Sequence, residues 1–327
     1  MAESGQGGQR IAVVGATGAV GHQIVELIYE RGLRFSKLTL YGSPETEQIS
    51  VEAAGEDRDI EPLTKIEQLA EFDLAFLAVP PAVAQSIIEA RLSPCLIDLS
   101  GAQVQKASST LVAPGFTPRS AVIELARTSK VISTPHPAAL ALATILRALK
   151  DDDLGLVSAV VMLGASTRGK RHAEEAIRQA AAALNGELEL PEGTTQVAFN
   201  VLVGDEELEL ARLIPEQVAC LLGYQPGLVV QVVKVPALHG TALSVCLPPT
   251  EHPGLWQERL RSAPGILFEE NKAPTLLDVI NYEAIVLSVM QERPGYLLWG
   301  AFDNLRVAAL SALWVAETIS FADHVID

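Results

Sequence analysis

Short apolar runs alternate with segments of helical period through the first hundred residues. Ile11–Val14, Leu38–Tyr41, Leu74–Val79 (LAFLAV) and Cys95–Leu99 (CLIDL) are the runs. After the first, His22–Arg31 carries Ile24, Val25, Leu27 and Ile28 at helical spacing, and Gly32 stands where a helix stops. Val83–Ala90 predicts a helix between the last two runs. Nearly continuous apolar strands separated by helices predict a parallel sheet covered on both faces.

The pattern changes near residue 135. Pro137–Leu149 reads as a helix with proline at its start, and Pro215–Leu222 is also helix-like. Lys170–Leu184 is an alanine-rich amphipathic helix, with Ala173, Ile177, Ala180 and Leu184 on one face. Strands are predicted at Leu156–Leu163, Leu228–Val235, Ala242–Leu247, Ala284–Met290 and Tyr296–Ala301, the last two joined by a turn through Arg293-Pro294-Gly295. Few helices separate these strands, so a central α+β domain with a large, mostly antiparallel sheet is expected. Such an apolar sheet suits pairing across a dimer. Asn304–Ile319 is apolar around most of its circumference and needs cover on most sides, so it is expected to return to the first domain. The expected fold class is therefore α/β: a Rossmann-type domain formed by residues 1–134 plus 303–327, and a central domain spanning residues 135–302.

Composition narrows the function classes. A chain of 327 residues exceeds the usual single core, which agrees with two domains. Its formal charge of −16 repels phosphate backbones, so nucleic acid is not an expected partner. Cys95, Cys220 and Cys246 are odd in number and lack CxxC spacing, which argues against a disulfide framework or a structural zinc site. No pair of histidines has metal-ligand spacing with a third ligand nearby, and no metal is expected. The polar start MAESGQGGQR reads as a tail rather than a signal peptide, and no charge-free stretch reaches about 18 apolar residues. A cytoplasmic protein without a membrane partner is the expectation.

The clearest chemistry lies in Gly15-Ala16-Thr17-Gly18-Ala19-Val20-Gly21, a GxxGxxG turn with a strand before it and a helix after it. Glycines there admit a tight turn and close approach of a pyrophosphate, which meets free N–H groups at the helix start. These seven residues, with Ser43 at the end of the second strand, form the expected cofactor site. Ribose selection belongs about 20 residues downstream. Leu40–Glu47 holds Glu45 and Glu47 but no arginine, which disfavours the 2′-phosphate of NADP. NAD or NADP is the expected cofactor, with NAD favoured by Glu45. Ancestry is the firmer inference, and the loop by itself leaves occupancy open.

GATGAVG at residue 15 resembles the opening of aspartate-semialdehyde dehydrogenases. Further landmarks follow in the family's order: Leu96–Gly101 resembles its VIDxSS, Val112–Thr117 its VVPEVN, Ala198-Phe199-Asn200 its AFN, Lys234-Val235-Pro236 its RVPV strand, and Asp303–Arg306 its DNLR. They cover nearly the whole chain, and the likeness is nearest to the family's divergent Usg-like branch. The resemblance implies a reductive dephosphorylation of aspartyl phosphate, with a cysteine nucleophile, a histidine that moves protons and an arginine for the substrate carboxylate. Matched motif by motif, the cysteine position holds Pro137, the histidine position Thr241, a glutamine position Leu163 and the substrate arginine position Val104. The resemblance therefore implies a non-catalytic paralogue with no catalytic residues, and a homodimer or a mixed dimer with an active relative.

An active oxidoreductase with displaced chemistry is the alternative. Its candidates are His136, beside the missing cysteine, and His239, two residues from Thr241 and so about 7 Å away along a strand. Cys95, Cys246 and Cys220 read as packed thiols. Ser166, Arg168, Lys170 and Arg171 place cations at a helix start, against its dipole, so either an anion or acidic neighbours should accompany them.

Overall fold

A computed structural model describes residues 8–46, 49–103, 111–149, 154–292 and 295–323. The expectations resting on the N-terminal tail, Glu47, Val104 and the Arg293-Pro294 turn lie outside these residues. The chain divides into two compact units, one of Met1–His136 with Ala308–Asp327 and one of Pro137–Val307.

The first unit is built on a seven-stranded sheet. Its strands are β1 (Gln9–Val14), β2 (Phe35–Gly42), β3 (Ser50–Ala53), β4 (Glu56–Pro62), β5 (Leu74–Leu77), β6 (Cys95–Asp98) and β7 (Val131–Ser133). Their order is β3-β4-β2-β1-β5-β6-β7, parallel except for the β3–β4 hairpin. Helices α1 (Ala19–Glu30), α2 (Pro81–Glu89) and α3 (Arg119–Thr128) connect the strands. The apolar stripe of α1 packs as its spacing dictates: Ile24, Val25, Leu27 and Ile28 are fully buried, each contributing about 1.5–3 kcal/mol.

The second unit carries α4 (Pro137–Ala148), β8 (Val157–Leu163), α5 (Lys170–Asn185), α6 (Asp205–Leu222), β9 (Leu228–Lys234), β10 (Thr241–Leu247), α7 (Pro253–Ser262), β11 (Ile266–Phe268), β12 (Ile285–Gln291) and β13 (Tyr296–Phe302). The six-stranded sheet runs β11-β12-β13-β10-β8-β9. It is mixed rather than mostly antiparallel: the middle pairings are antiparallel, but β11–β12 and β8–β9 at the two edges are parallel. The crossover through α5 and α6 is long enough to return β9 parallel to β8. One face of this sheet is buried beneath helices. The other leaves Val160, Met162, Leu297 and Trp299 half-buried, beside exposed Val229, Gln231 and Cys246.

Helix α8 (Asn304–Asp323) closes the chain. Its length and composition would suffice to cross a membrane. Here Ala309, Ala312, Leu313, Val315 and Ala316 instead enter the same hydrophobic cluster as Ile11, Ile24 and Phe76.

Candidate functional site

The glycine turn sits at the C-terminal ends of β1, β2 and β5. The N–H groups of Gly15 and Ala16 both donate to the Tyr41 carbonyl, at 2.8 and 3.0 Å, which ties the turn to β2. The N–H of Gly18 donates to the Gly15 carbonyl at 2.9 Å. A Cβ on Gly15 would stand 2.3 Å from the Ala78 oxygen, and φ there is +90°. A Cβ on Gly21 would stand 2.1 Å from the Gly15 oxygen. The strand end and the helix start therefore approach more closely than any side chain permits. After β1 the chain goes to one neighbour, β2, and later to the other, β5, so the turn lies at the sheet's switch point, where α/β folds leave a ligand crevice.

Helix α1 has Gly18 as its N-cap, no side-chain cap and no acidic residue in its first turn. Its first N–H groups and the positive end of its dipole face the crevice end of the sheet without an internal anion. Ser43 and Glu45 are exposed in the turn after β2. The N–H of Thr46 donates to the Ser43 carbonyl at 2.9 Å, and a Cβ on Gly42 would clash with Thr46 Oγ1 at 2.3 Å. This turn begins at Ser43, two residues after Tyr41, whose carbonyl holds the Gly15–Gly21 loop.

Asp98 at the end of β6 is fully buried and accepts from the N–H and Oγ of Ser100, at 2.9 and 2.5 Å. The Asp-Leu-Ser-Gly segment is thus a self-capped turn. His136 is half-buried, and burial pulls its imidazole down to about 4, so it stays neutral near pH 7. Pro137 opens α4, where its missing N–H costs nothing because the first N–H groups of a helix have no internal partner.

In the second unit, β8 and β10 bring Leu163 and Thr241 directly opposite each other, 3% and 1% exposed. His239 is not on a strand. It lies in the connection after β9, where the N–H groups of Ala165 and Ser166 donate to the Ala237 and Leu238 carbonyls at 2.8 and 2.9 Å. The expected strand spacing from Thr241 therefore does not apply, because Pro236 and Gly240 bound a loop. His239 Nε2 stands 3.0 Å from Asp303 Oδ1. Asp303 is buried and also accepts from the N–H groups of Asn281, Leu305 and Arg306. Burial raises its pKa, but His239 and these N–H donors outweigh it and hold the carboxyl below its usual range. The segment Asp303–Arg306 thus works as a helix cap with His239 attached.

The cations at the start of α5 have acidic neighbours. Arg168 pairs with Glu206 and, at 3.1 Å, with Glu207. Lys234 reaches Glu207 at 3.4 Å, and Lys170 reaches Glu174 at 3.9 Å. Glu207 is 1% exposed and also accepts from the N–H of Gly204 at 2.9 Å. Two cations and two carboxylates thus balance within one cluster. Sequence reading missed Glu207 and Lys234; the signal was Gly204 followed three residues later by Glu207, a helix-start pattern.

The three thiols sit apart. Burial pushes Cys95 up to about 12 and also raises Cys220, which is half-buried rather than fully packed. Cys246 is exposed on an outward strand position rather than packed. Among the described residues, no group of three His, Cys, Asp or Glu side chains could hold a metal ion.

Residues 10–122 match the family model for the semialdehyde dehydrogenase NAD-binding domain. The chain is 31% identical to a USG-1 protein homolog of Azotobacter vinelandii, over 94% of this chain and 97% of that protein. It is 23% identical to an aspartate-semialdehyde dehydrogenase of Aquifex aeolicus, over 95% and 98%. A solved structure of a probable aspartate-semialdehyde dehydrogenase from Pseudomonas aeruginosa superposes with a TM-score of 0.78 at 27% identity, over 95% of this chain and 98% of that one.

Proposed function

Since the chain belongs to the aspartate-semialdehyde dehydrogenase family, in its Usg-like branch, we propose that it binds a nicotinamide dinucleotide but no longer carries out the family's acyl-enzyme reaction. The observation that carries this reading is Pro137 at the first turn of α4. The resemblance requires a thiolate there, at the positive end of a helix dipole. Proline offers neither a nucleophile nor an N–H. Leu163 and Thr241, buried against each other, and Val104 stand at the other reacting positions.

The nucleotide half fits its group. The Gly15–Gly21 turn leaves room only where side chains are absent, and the uncapped start of α1 suits a pyrophosphate. Ser43 and Glu45 flank the ribose end, and Glu45 favours NAD over NADP by repelling a 2′-phosphate. A bound nicotinamide supplies hydride transfer. With no thiol at position 137 there is no thioester for the hydride to reduce. Against displaced chemistry, Cys95 is held protonated by burial, and an imidazole pulled down to about 4 makes His136 a weak base.

The half-open apolar face of the second sheet supports a homodimer in which Val160, Met162 and Trp299 are covered. That face would also accept an active relative; co-purification that returns only the homodimer removes the mixed assembly. A cytoplasmic, regulatory or scaffolding role follows from this reading. Steady-state assay with aspartate semialdehyde, phosphate and NAD or NADP tests it. Turnover at the no-enzyme blank is expected, and turnover well above it would overturn the proposal.

A further inference from the structure

At the opposite end of the first sheet from the glycine turn, a groove of about 210 Å³ opens between α3 and α8. Gln9, Asp73, Ser93 and Cys95 form its floor, where β1, β5 and β6 begin. Ile123 and Ala126 on α3 face Ile319 and Ala322 on α8 across it, and Arg127 and Lys130 stand at its rim. On α3, Ile123, Ala126 and Arg127 recur at one-face helical spacing, and Lys130, just past the end of the helix, adds a second cation at the rim.

The charge in this groove is uncompensated by its own lining. Asp73 is the one acid among the lining residues, and it is occupied by Arg10: Nη2 to Oδ1 at 2.7 Å, with the Arg10 N–H to Oδ2 at 2.8 Å. That leaves Arg127 and Lys130 on a chain whose formal charge is −16. Lys130 is held there by unusual means. It adopts φ of 56°, a left-handed position after a helix that glycine ordinarily fills. Its N–H donates to the Leu125 carbonyl, its carbonyl accepts from Leu96, and its ammonium donates to the Ser93 carbonyl at 3.2 Å, over the groove floor. Lys130 thus holds a cation beside an apolar-walled recess in a backbone conformation that a non-glycine residue rarely adopts.

We propose that this groove binds a small organic carboxylate with a short alkyl chain, the carboxylate meeting Arg127 and Lys130 and the chain lying between Ile123, Ala126, Ile319 and Ala322. The site lies at the opposite end of the same sheet from the nucleotide turn. Arg127 also lies in the last turn of α3, where a cation suits the helix dipole, so the test must separate the two roles.

Calorimetric titration with hexanoate at low ionic strength, with hexanol and hexylammonium as neutral and cationic counterparts, makes that separation. Saturable binding of hexanoate alone is expected, weakened at least about tenfold in Arg127→Gln/Lys130→Gln. Ala126→Trp, which fills the recess and keeps both cations, should weaken it equally. No saturable binding to the wild-type chain, equal binding of hexanol, or full binding by either variant would overturn the proposal; in those cases the cations serve only the helix end.

Discussion

At Gly21 the limit on substitution is geometric. A methyl group would stand 2.1 Å from the Gly15 oxygen, and both atoms belong to backbone that cannot swing away. Gly21→Ala is expected to destabilise the fold by about 1–3 kcal/mol and to abolish nucleotide binding, read by urea unfolding and calorimetry. Gly18→Ala, whose Cβ would meet the same oxygen at 3.2 Å, should do much less to stability. Glu207 sets a second residue-scale limit. Replacing it with glutamine takes the buried carboxylate from Lys234 while Arg168 keeps Glu206, at an expected loss of about 1–3 kcal/mol. Glu206→Gln, at the exposed end of the cluster, should cost about 0–1 kcal/mol. His136 gives the pH dependence. Its folded pKa of about 4 lies below the ordinary 6.5, so between those values the unfolded chain binds the proton and the folded chain does not. Stability should therefore fall by up to about 3 kcal/mol as pH drops through that window. Denaturant unfolding at stepped pH should show the slope in wild type and a flatter one in His136→Phe.

At the scale of elements, the strong periods were readable and the weak ones were not. β1, β5 and β6 are buried on both faces, and their apolar runs announce them. The β3–β4 hairpin was invisible because β4, Glu56–Pro62, buries little beyond Ile60 and is mostly charged, as an edge ribbon can be. Its turn, Ala54-Gly55, holds φ of 55° and 75°, a mirror-type turn with alanine where glycine or asparagine is usual. Ala54→Gly is expected to raise stability by roughly 0.5–1 kcal/mol in thermal unfolding. The glycine loop could be placed because strand, turn and helix are contiguous. The Arg168–Glu207–Lys234 cluster could not, because its members come from three separated segments and only packing unites them. The same reason misplaced His239: two residues from a strand in sequence, it belongs to a loop pinned by residues 164–166.

For the whole molecule, a glycine turn that admits no side chains accompanies a second unit in which Leu163 and Thr241, two of the positions matched to the family's reacting groups, are buried opposite each other. The apolar outer face of the second sheet should be covered by a second copy. Sedimentation is expected to show a dimer, and Val160→Glu, a charge placed in the middle of that face, should yield monomers with an unchanged circular dichroism spectrum. Arg168 and Lys234 are paired by carboxylates of the chain itself, so adding substrate analogues should leave that unit's unfolding transition where it is. The turn Gly15–Gly21 with Glu45 carries the central claim, and calorimetric titration of the full chain with NAD and with NADP tests it most directly. The account predicts saturable binding of NAD at one site per chain, tighter than NADP and lost in Gly21→Ala. Silence with both dinucleotides, or a preference for NADP, would contradict it.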